Sequence, residues 1–183
     1  MKKHVTAHDL AFETLITSGE IADKVAELGQ RIGADHEGQR LLFLCVLNGS
    51  FVFAADLVRA CPCECEVAFI RLASYQGTQS SGQVATVLGL DMPVKGRHVI
   101  VVEDIVDSGG TMSHFLQELK QMGPASVKLA VLLLKPEALA HPIAVDYLGF
   151  EIEDKFVVGY GLDYNGLCRN LPDIYSVVRS LTG

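Results

Sequence analysis

The chain has 183 residues, a length suited to one domain that buries a full core without disulfides or a structural metal. Hydrophobic residues make up 49% and charged residues 20%, which excludes disorder over most of the length. Lys and Arg total 15 against 22 Asp and Glu, a net charge of −7, and no Lys/Arg cluster builds a basic patch, so nucleic acid is excluded as a partner. The longest unbroken apolar run, Leu41 to Leu47, falls far short of the roughly 20 residues of a membrane-spanning helix. Met1-Lys2-Lys3 mimics the charged start of a signal peptide, but His8, Asp9 and Glu13 interrupt any apolar stretch after it. The expectation is a soluble, cytoplasmic, single domain over residues 1–183, with no membrane partner.

In chain order, His4 and His8 lack the Glu of a zinc-protease motif and read as surface residues on a mobile start. Ser18 to Ala34 places Ile21, Val25, Leu28 and Ile32 at helical spacing, with Ser18 or Gly19 opening the helix. Leu41–Leu47 reads as a strand covered on both faces, followed by a helix over 51–60. Cys61, Cys63 and Cys65 lack the spacing and the second pair of a zinc site, and read as reduced thiols at a loop–strand junction. Strands are expected at 67–73 and 84–88. Between them Ser74 to Gly82 is small and polar with no apolar anchor after Tyr75, the composition of a mobile loop.

The next unit is the clearest. A buried strand over 98–102 leads into a loop, Glu103 to Thr111, then a helix over 111–122 with Met112, Phe115, Leu116, Leu119 and Met122 on one face. Gly123-Pro124 ends that helix, and Val127–Leu134 is a wholly apolar strand closed by Lys135-Pro136. Strand, helix and strand at this spacing predict a crossover in a parallel sheet. Strands near 145–148, 156–158 and 174–181 complete an α/β fold, a central parallel sheet flanked by helices.

Ligands of such sheets bind beyond the carboxyl ends of the strands, where Glu103–Thr111 lies. Ser108, Gly109, Gly110 and Thr111 present successive backbone N–H groups at a helix start, a site for a phosphate. Glu103 and Asp104 suit hydroxyls or a hard cation such as Mg²⁺. Together they describe a ribose 5-phosphate. Asp-Ser-Gly-Gly-Thr alone would equally be an ordinary helix start capped by Ser108 or Thr111. No Gly-Lys-Ser/Thr or Gly-x-Gly-x-x-Gly occurs at this loop, which excludes a Walker loop and a dinucleotide fingerprint there.

Val99 to Thr111 resembles the phosphoribosyl-pyrophosphate (PRPP) motif of the type I phosphoribosyltransferases, and within them the hypoxanthine (6-oxopurine) phosphoribosyltransferases. Leu47-Asn48-Gly49-Ser50 is similar to that family's pyrophosphate loop, Ser74-Tyr75 to the start of its lid, and Asp154 to Asn165 to its purine-binding hood, with Arg169 following. The resemblance covers roughly residues 40 to 180. It implies that Glu103 and Asp104 hold the ribose hydroxyls and Mg²⁺, and that Ser108, Gly109, Gly110 and Thr111 cradle the 5-phosphate. Leu47, Asn48, Gly49 and Arg169 meet the pyrophosphate, with a cis Leu47–Asn48 peptide, and Asp163 binds a second Mg²⁺. Lys135 reads the purine 6-oxo group, Phe156 stacks on the ring, and Ile105, Val157 and Asp163 complete the purine site. Read alone, Phe156 and Val157 are equally core residues, and Lys135 a strand-end surface lysine. Asp107 is the general acid–base group at the purine imidazole; its alternative is a cap on the following helix.

Relatives often carry Lys or Arg where this chain has Asn48, which leaves more of the charge to Arg169 and Mg²⁺. Gly110 replaces a commonly larger residue, an expected loosening of the phosphate loop. The resemblance implies a hood built from the N-terminal segment and residues near 150–175, and a homodimer or homotetramer. The activity it implies is transfer of phosphoribose from PRPP to N9 of hypoxanthine or guanine. The rivals are a nucleotide-binding regulator of the same fold and a xanthine-directed enzyme.

Overall fold

The computed structural model describes residues 3–73, 85–88, 90 and 92–180. Its elements are β1 (His4–Ala7), β2 (Leu10–Ile16), α1 (Ser18–Asp35), β3 (Leu41–Leu47), α2 (Phe51–Ala60), β4 (Cys65–Ala73) and β5 (Ala85–Leu88). After these come β6 (His98–Val106), α3 (Gly110–Gln121), β7 (Ser126–Leu134), a 3₁₀ turn (Pro136–Ala138), β8 (Tyr147–Glu151), β9 (Val157–Val158) and β10 (Ile174–Ser180).

The main sheet has the order β5-β4-β3-β6-β7-β8. Five strands run parallel, and β5 closes the edge antiparallel to β4. Alternation along β3 explains its apolar sequence. Leu41, Phe43 and Cys45 face the helices α1 and α2 through Leu28, Ile32, Phe53 and Leu57. Leu42, Leu44 and Val46 face α3 through Phe115 and Leu119. A strand covered on both sides has no polar face to show.

A second, antiparallel sheet has the order β1-β2-β10-β9, and its Ile16, Val157 and Ile174 join the core that α1 and α2 form with the main sheet. Phe12, Val158 and Tyr175 form its core. Asp173, at the foot of β10, accepts from the Ser18 N–H (2.8 Å) and from Lys3 Nζ (3.0 Å), so it fastens β10 to the start of α1 and to the N-terminal hairpin.

Four expectations are corrected. The N-terminal stretch is a hairpin, with His4 inside β1 and His8 at its turn with φ 51°, its ring edge-on to Tyr164 at 5.2 Å. Polar His and Asp at the turn broke the alternation that marks strands. The cap of α1 is Thr17, in a reciprocal capping box with Glu20 three residues on, rather than Ser18 or Gly19. Glu103 to Val106 belong to β6 instead of a loop, because Glu103 and Ile105 pair with Val131 and Leu133 of β7. The strand expected at 145–148 begins at Tyr147, since Asp146 turns its carboxylate to the Leu129 N–H (2.9 Å) and Lys128 Nζ (2.8 Å). Cys61 follows α2 and Cys65 opens β4, and all five cysteines are free. Among the described residues no helix is long and apolar enough to cross a membrane.

Candidate active site

The carboxyl ends of β3 and β6 and the start of α3 enclose a cavity of about 290 Å³. Leu47, Glu103, Ile105 and the run from Asp107 to Thr111 line it. Its floor is chemically divided in two.

One half is made largely of backbone at the start of α3. Gly109 precedes α3 with φ 78°, a left-handed conformation that favours glycine, and no side chain caps the helix. Neither Ser108 nor Thr111 is therefore the cap, and the first N–H groups of α3 remain directed at the cavity, with the positive end of the helix dipole behind them. The Ser108 carbonyl is braced from outside by the N–H groups of Ala140 (3.0 Å) and His141 (3.1 Å). The space beside Gly110 is not open: a Cβ there would come 3.1 Å from the His141 ring.

The acidic half rests on β6. Glu103 and Asp104 are adjacent near its carboxyl end, with their side chains within hydrogen-bond reach of one another. Burial first, then the hydrogen bond and charge of Asp104, push the Glu103 carboxyl well above the usual carboxylate range. Asp104 lies so close to the Leu47–Ser50 loop that a Cβ on Gly49 would fall 1.6 Å from its Oδ2. A side chain at position 49 would have to displace that carboxylate. The Leu47–Asn48 peptide is cis. Ser50, buried, donates to the Val46 carbonyl at 2.6 Å and closes the loop onto α2.

A third segment packs on the same loop. Gly161, at φ 102°, is so near the Gly49 carbonyl that a Cβ would meet it at 2.1 Å. Arg169 donates to the Gly161 carbonyl (2.7 Å) and pairs with Asp163 (2.7 Å), which also accepts from the Gly166 N–H (2.7 Å). Asp163 and Arg169 thus reach the site through Gly161 and satisfy one another.

Lys135 is 6% exposed and is no surface lysine. Its Nζ donates to Asp107 Oδ2 (3.1 Å) and Asp154 Oδ1 (3.0 Å). Burial works to lower its pKa, and the bonds to Asp154 and Asp107 outweigh that and raise it, so it stays an ammonium. Asp107 is braced by this bond rather than by a helix N–H. Phe156, 43% exposed, stands edge-on to Tyr164 at 5.5 Å and tilted against Phe12 at 6.2 Å, while Val157 is buried. Ser74 and Tyr75 lie outside the described residues.

Two residues that sequence reasoning missed join the site. Asp154 holds Lys135 and lies two positions before Phe156, inside the segment already singled out. Arg71 donates to Asn48 Oδ1 at 2.6 Å. Only the pairing of Leu47 with Arg71 across β3 and β4 brings it there, which no local motif reveals.

The described residues hold no group of three or more His, Cys, Asp or Glu side chains that converge on one point as a metal cage. The Glu103–Asp104 pair nevertheless fits a hard divalent cation of the kind that takes one or two carboxylates and completes its shell with substrate oxygens and water. Burial first, and then the neighbouring Asp104, disfavour the charged form of Glu103, and a bound cation would favour it.

A family model described as "Phosphoribosyl transferase domain" matches residues 13–165. The hypoxanthine-guanine phosphoribosyltransferase of Lactococcus lactis is 44% identical over 166 residues, covering 90% of both chains. The enzyme of the same name from Mycobacterium tuberculosis is 42% identical and covers 87% of this chain and 83% of its own. Among solved structures, a hypoxanthine-guanine phosphoribosyltransferase from Bacillus anthracis superposes with a TM-score of 0.84 at 41% identity, over 91% of this chain and 96% of that one.

Proposed function

The chain belongs to the phosphoribosyl transferase family, and from that premise we propose that it transfers the 5-phosphoribosyl group of PRPP to N9 of hypoxanthine or guanine. The products are the nucleoside monophosphate and pyrophosphate, the chemistry of purine salvage. The observation that carries this reading is one cavity that joins an uncapped helix start to an acidic strand end and a lysine-braced aspartate.

In this reading the N–H groups of residues 108–111 take the 5-phosphate, while Glu103 and Asp104 accept from the ribose hydroxyls. The Leu47–Ser50 loop and Arg169 meet the pyrophosphate. Lys135 reads the base: an ammonium has three donors, two of which are spent on Asp107 and Asp154, and the third is left for an oxo acceptor. Ile105, Val157 and the exposed Phe156 hold the ring, and the loop carrying Asp163 closes its edge. Bond cleavage at the anomeric carbon builds positive charge on the ribose, which fixed carboxylates stabilise without reorganising. Asp107 takes or stabilises the imidazole proton as N9 attacks. Mg²⁺, held by Glu103 and Asp104 and by Asp163 at a second position, would supply charge to the departing pyrophosphate.

A regulator without activity is not favoured, because the relatives matched over most of the chain carry the names of enzymes. Five unpaired cysteines support a reducing, cytoplasmic compartment. The exposed Phe51, Val67 and Phe69 support assembly into a homodimer or homotetramer. The test of function is pyrophosphate release from PRPP with hypoxanthine, guanine, xanthine and adenine in turn, with and without Mg²⁺. Metal-dependent release with hypoxanthine or guanine is expected; release with none of the four refutes the reading.

A further inference from the structure

We propose that Arg71 is a further charge-bearing ligand of the pyrophosphate, beside Arg169, and that Asn48 is the residue that positions it; this deepens the phosphoribosyl-transfer reading and rests on it. The site needs net positive charge to meet a diphosphate, and most of its cations have none to give. Lys135 is bound by two carboxylates, Asp107 and Asp154. Arg169 is already paired with Asp163 at 2.7 Å.

Arg71 differs from both. It stands at the carboxyl end of β4 directly abreast of Leu47, the first residue of the pyrophosphate loop. Its one side-chain partner given by the described residues is the Asn48 amide oxygen at 2.6 Å, and no described carboxylate forms an ion pair with it. An amide fixes the guanidinium without cancelling its charge. One of five N–H donors is used, so a planar pair remains for two phosphate oxygens. The side chain is exposed at the rim of the site, so an arriving diphosphate reaches it without displacing packed groups. Asn48 then serves to aim a cation held on the neighbouring strand.

The variants R71A, N48D and the double variant R71A/N48K separate this role from a mere brace on the loop. N48D keeps the hydrogen bond but converts it into an ion pair that cancels the charge of Arg71. In the forward reaction, R71A and N48D should each raise KM for PRPP about tenfold, the scale of one charge-assisted contact. In the reverse reaction they should raise KM for pyrophosphate equally, with KM for the purine and the nucleotide within about twofold of wild type. The double variant should recover most of the loss, because it returns a cation to the same loop. Calorimetric binding of magnesium pyrophosphate to the folded variants reads the same contact without turnover. Unchanged pyrophosphate binding and KM in R71A, or KM values for base and diphosphate that rise together, overturn the assignment. Wild-type protein that binds magnesium pyrophosphate but turns over no base would instead overturn the functional reading and leave Arg71 standing.

Discussion

Replacing Asp107 by Asn removes a charge and almost nothing else. The side chain keeps its shape, and its amide oxygen still accepts from Lys135 Nζ, now 3.1 Å from Oδ2. Lys135 retains a full carboxylate partner in Asp154 at 3.0 Å, so no buried charge is stranded. The Asp107 side chain is 57% exposed, which places the lost ion pair in the range of about 0–1 kcal/mol. At this chain length that lowers Tm by less than about 4 °C. A lost general acid–base group costs about 10²–10⁴-fold in rate, or about 2.7–5.5 kcal/mol of barrier. The variant should therefore keep its fold and its PRPP affinity while kcat collapses, read by melting and by steady-state pyrophosphate release. A variant that melts well below wild type and turns over at near wild-type rate would show that Asp107 is a strut for Lys135 and not the catalytic group.

Lys135→Ala removes the remaining donor to the base. The ratio of hypoxanthine to adenine turnover should fall about tenfold or more, on the scale of a 1.5–3 kcal/mol hydrogen bond to a charged group; an unchanged ratio removes Lys135 from base recognition. Gly49→Ala drives a Cβ to 1.6 Å from Asp104 Oδ2, so activity should drop at least a hundredfold as the loop or the carboxylate moves, with circular dichroism unchanged. Near wild-type kcat/KM would refute the close approach. The Ser18 N–H, against the opposing effect of burial and with help from Lys3, holds the Asp173 carboxyl at about 2 instead of 3.8. That depression stabilises the fold by on the order of 2 kcal/mol above pH 4, and the contribution is lost as pH falls through about 2. Asp173→Asn should lower Tm at pH 7 and flatten its acid limb; an acid limb like that of wild type would exclude Asp173 as its source.

The parts of this molecule that were legible in sequence are those governed by near neighbours. Leu41–Leu47 and Val127–Leu134 announce themselves because a strand buried on both faces has no polar positions. The Ser108–Thr111 cradle is a local device of glycines at a helix start. What escaped depends on contacts between distant segments. The hairpin of β1 and β2 is stable because β10 pairs with it from more than 150 residues away, and nothing within residues 4–16 alone requires it. The extent of β6 through Glu103 was hidden because a carboxylate pair reads as loop, yet the ladder to β7 carries both residues as strand. Asp154 and Arg71 became visible only when Lys135 and Asn48 found them across the fold.

The charge arrangement also explains why an acidic chain can handle a polyanion. A net charge of −7 repels PRPP at long range, so attraction must come from groups at the site itself, among them groups whose positive character does not count toward that total. Backbone N–H groups at the start of α3 are such groups: they carry the positive end of a dipole, and a phosphate there meets no carboxylate as a competitor. In the proposed reading the carboxylates Glu103 and Asp104 sit instead where the sugar presents hydroxyl donors and where positive charge develops on the ring during transfer. Lys135 is doubly paired with Asp107 and Asp154, which in the same reading withdraws it from phosphate binding and leaves it for a neutral base. Each end of the substrate is thereby matched to a different kind of group, and orientation follows from that mismatch: a phosphate moved to the acidic end would face two carboxylates, and a diol moved to the helix would leave its own hydrogen-bond donors facing other donors.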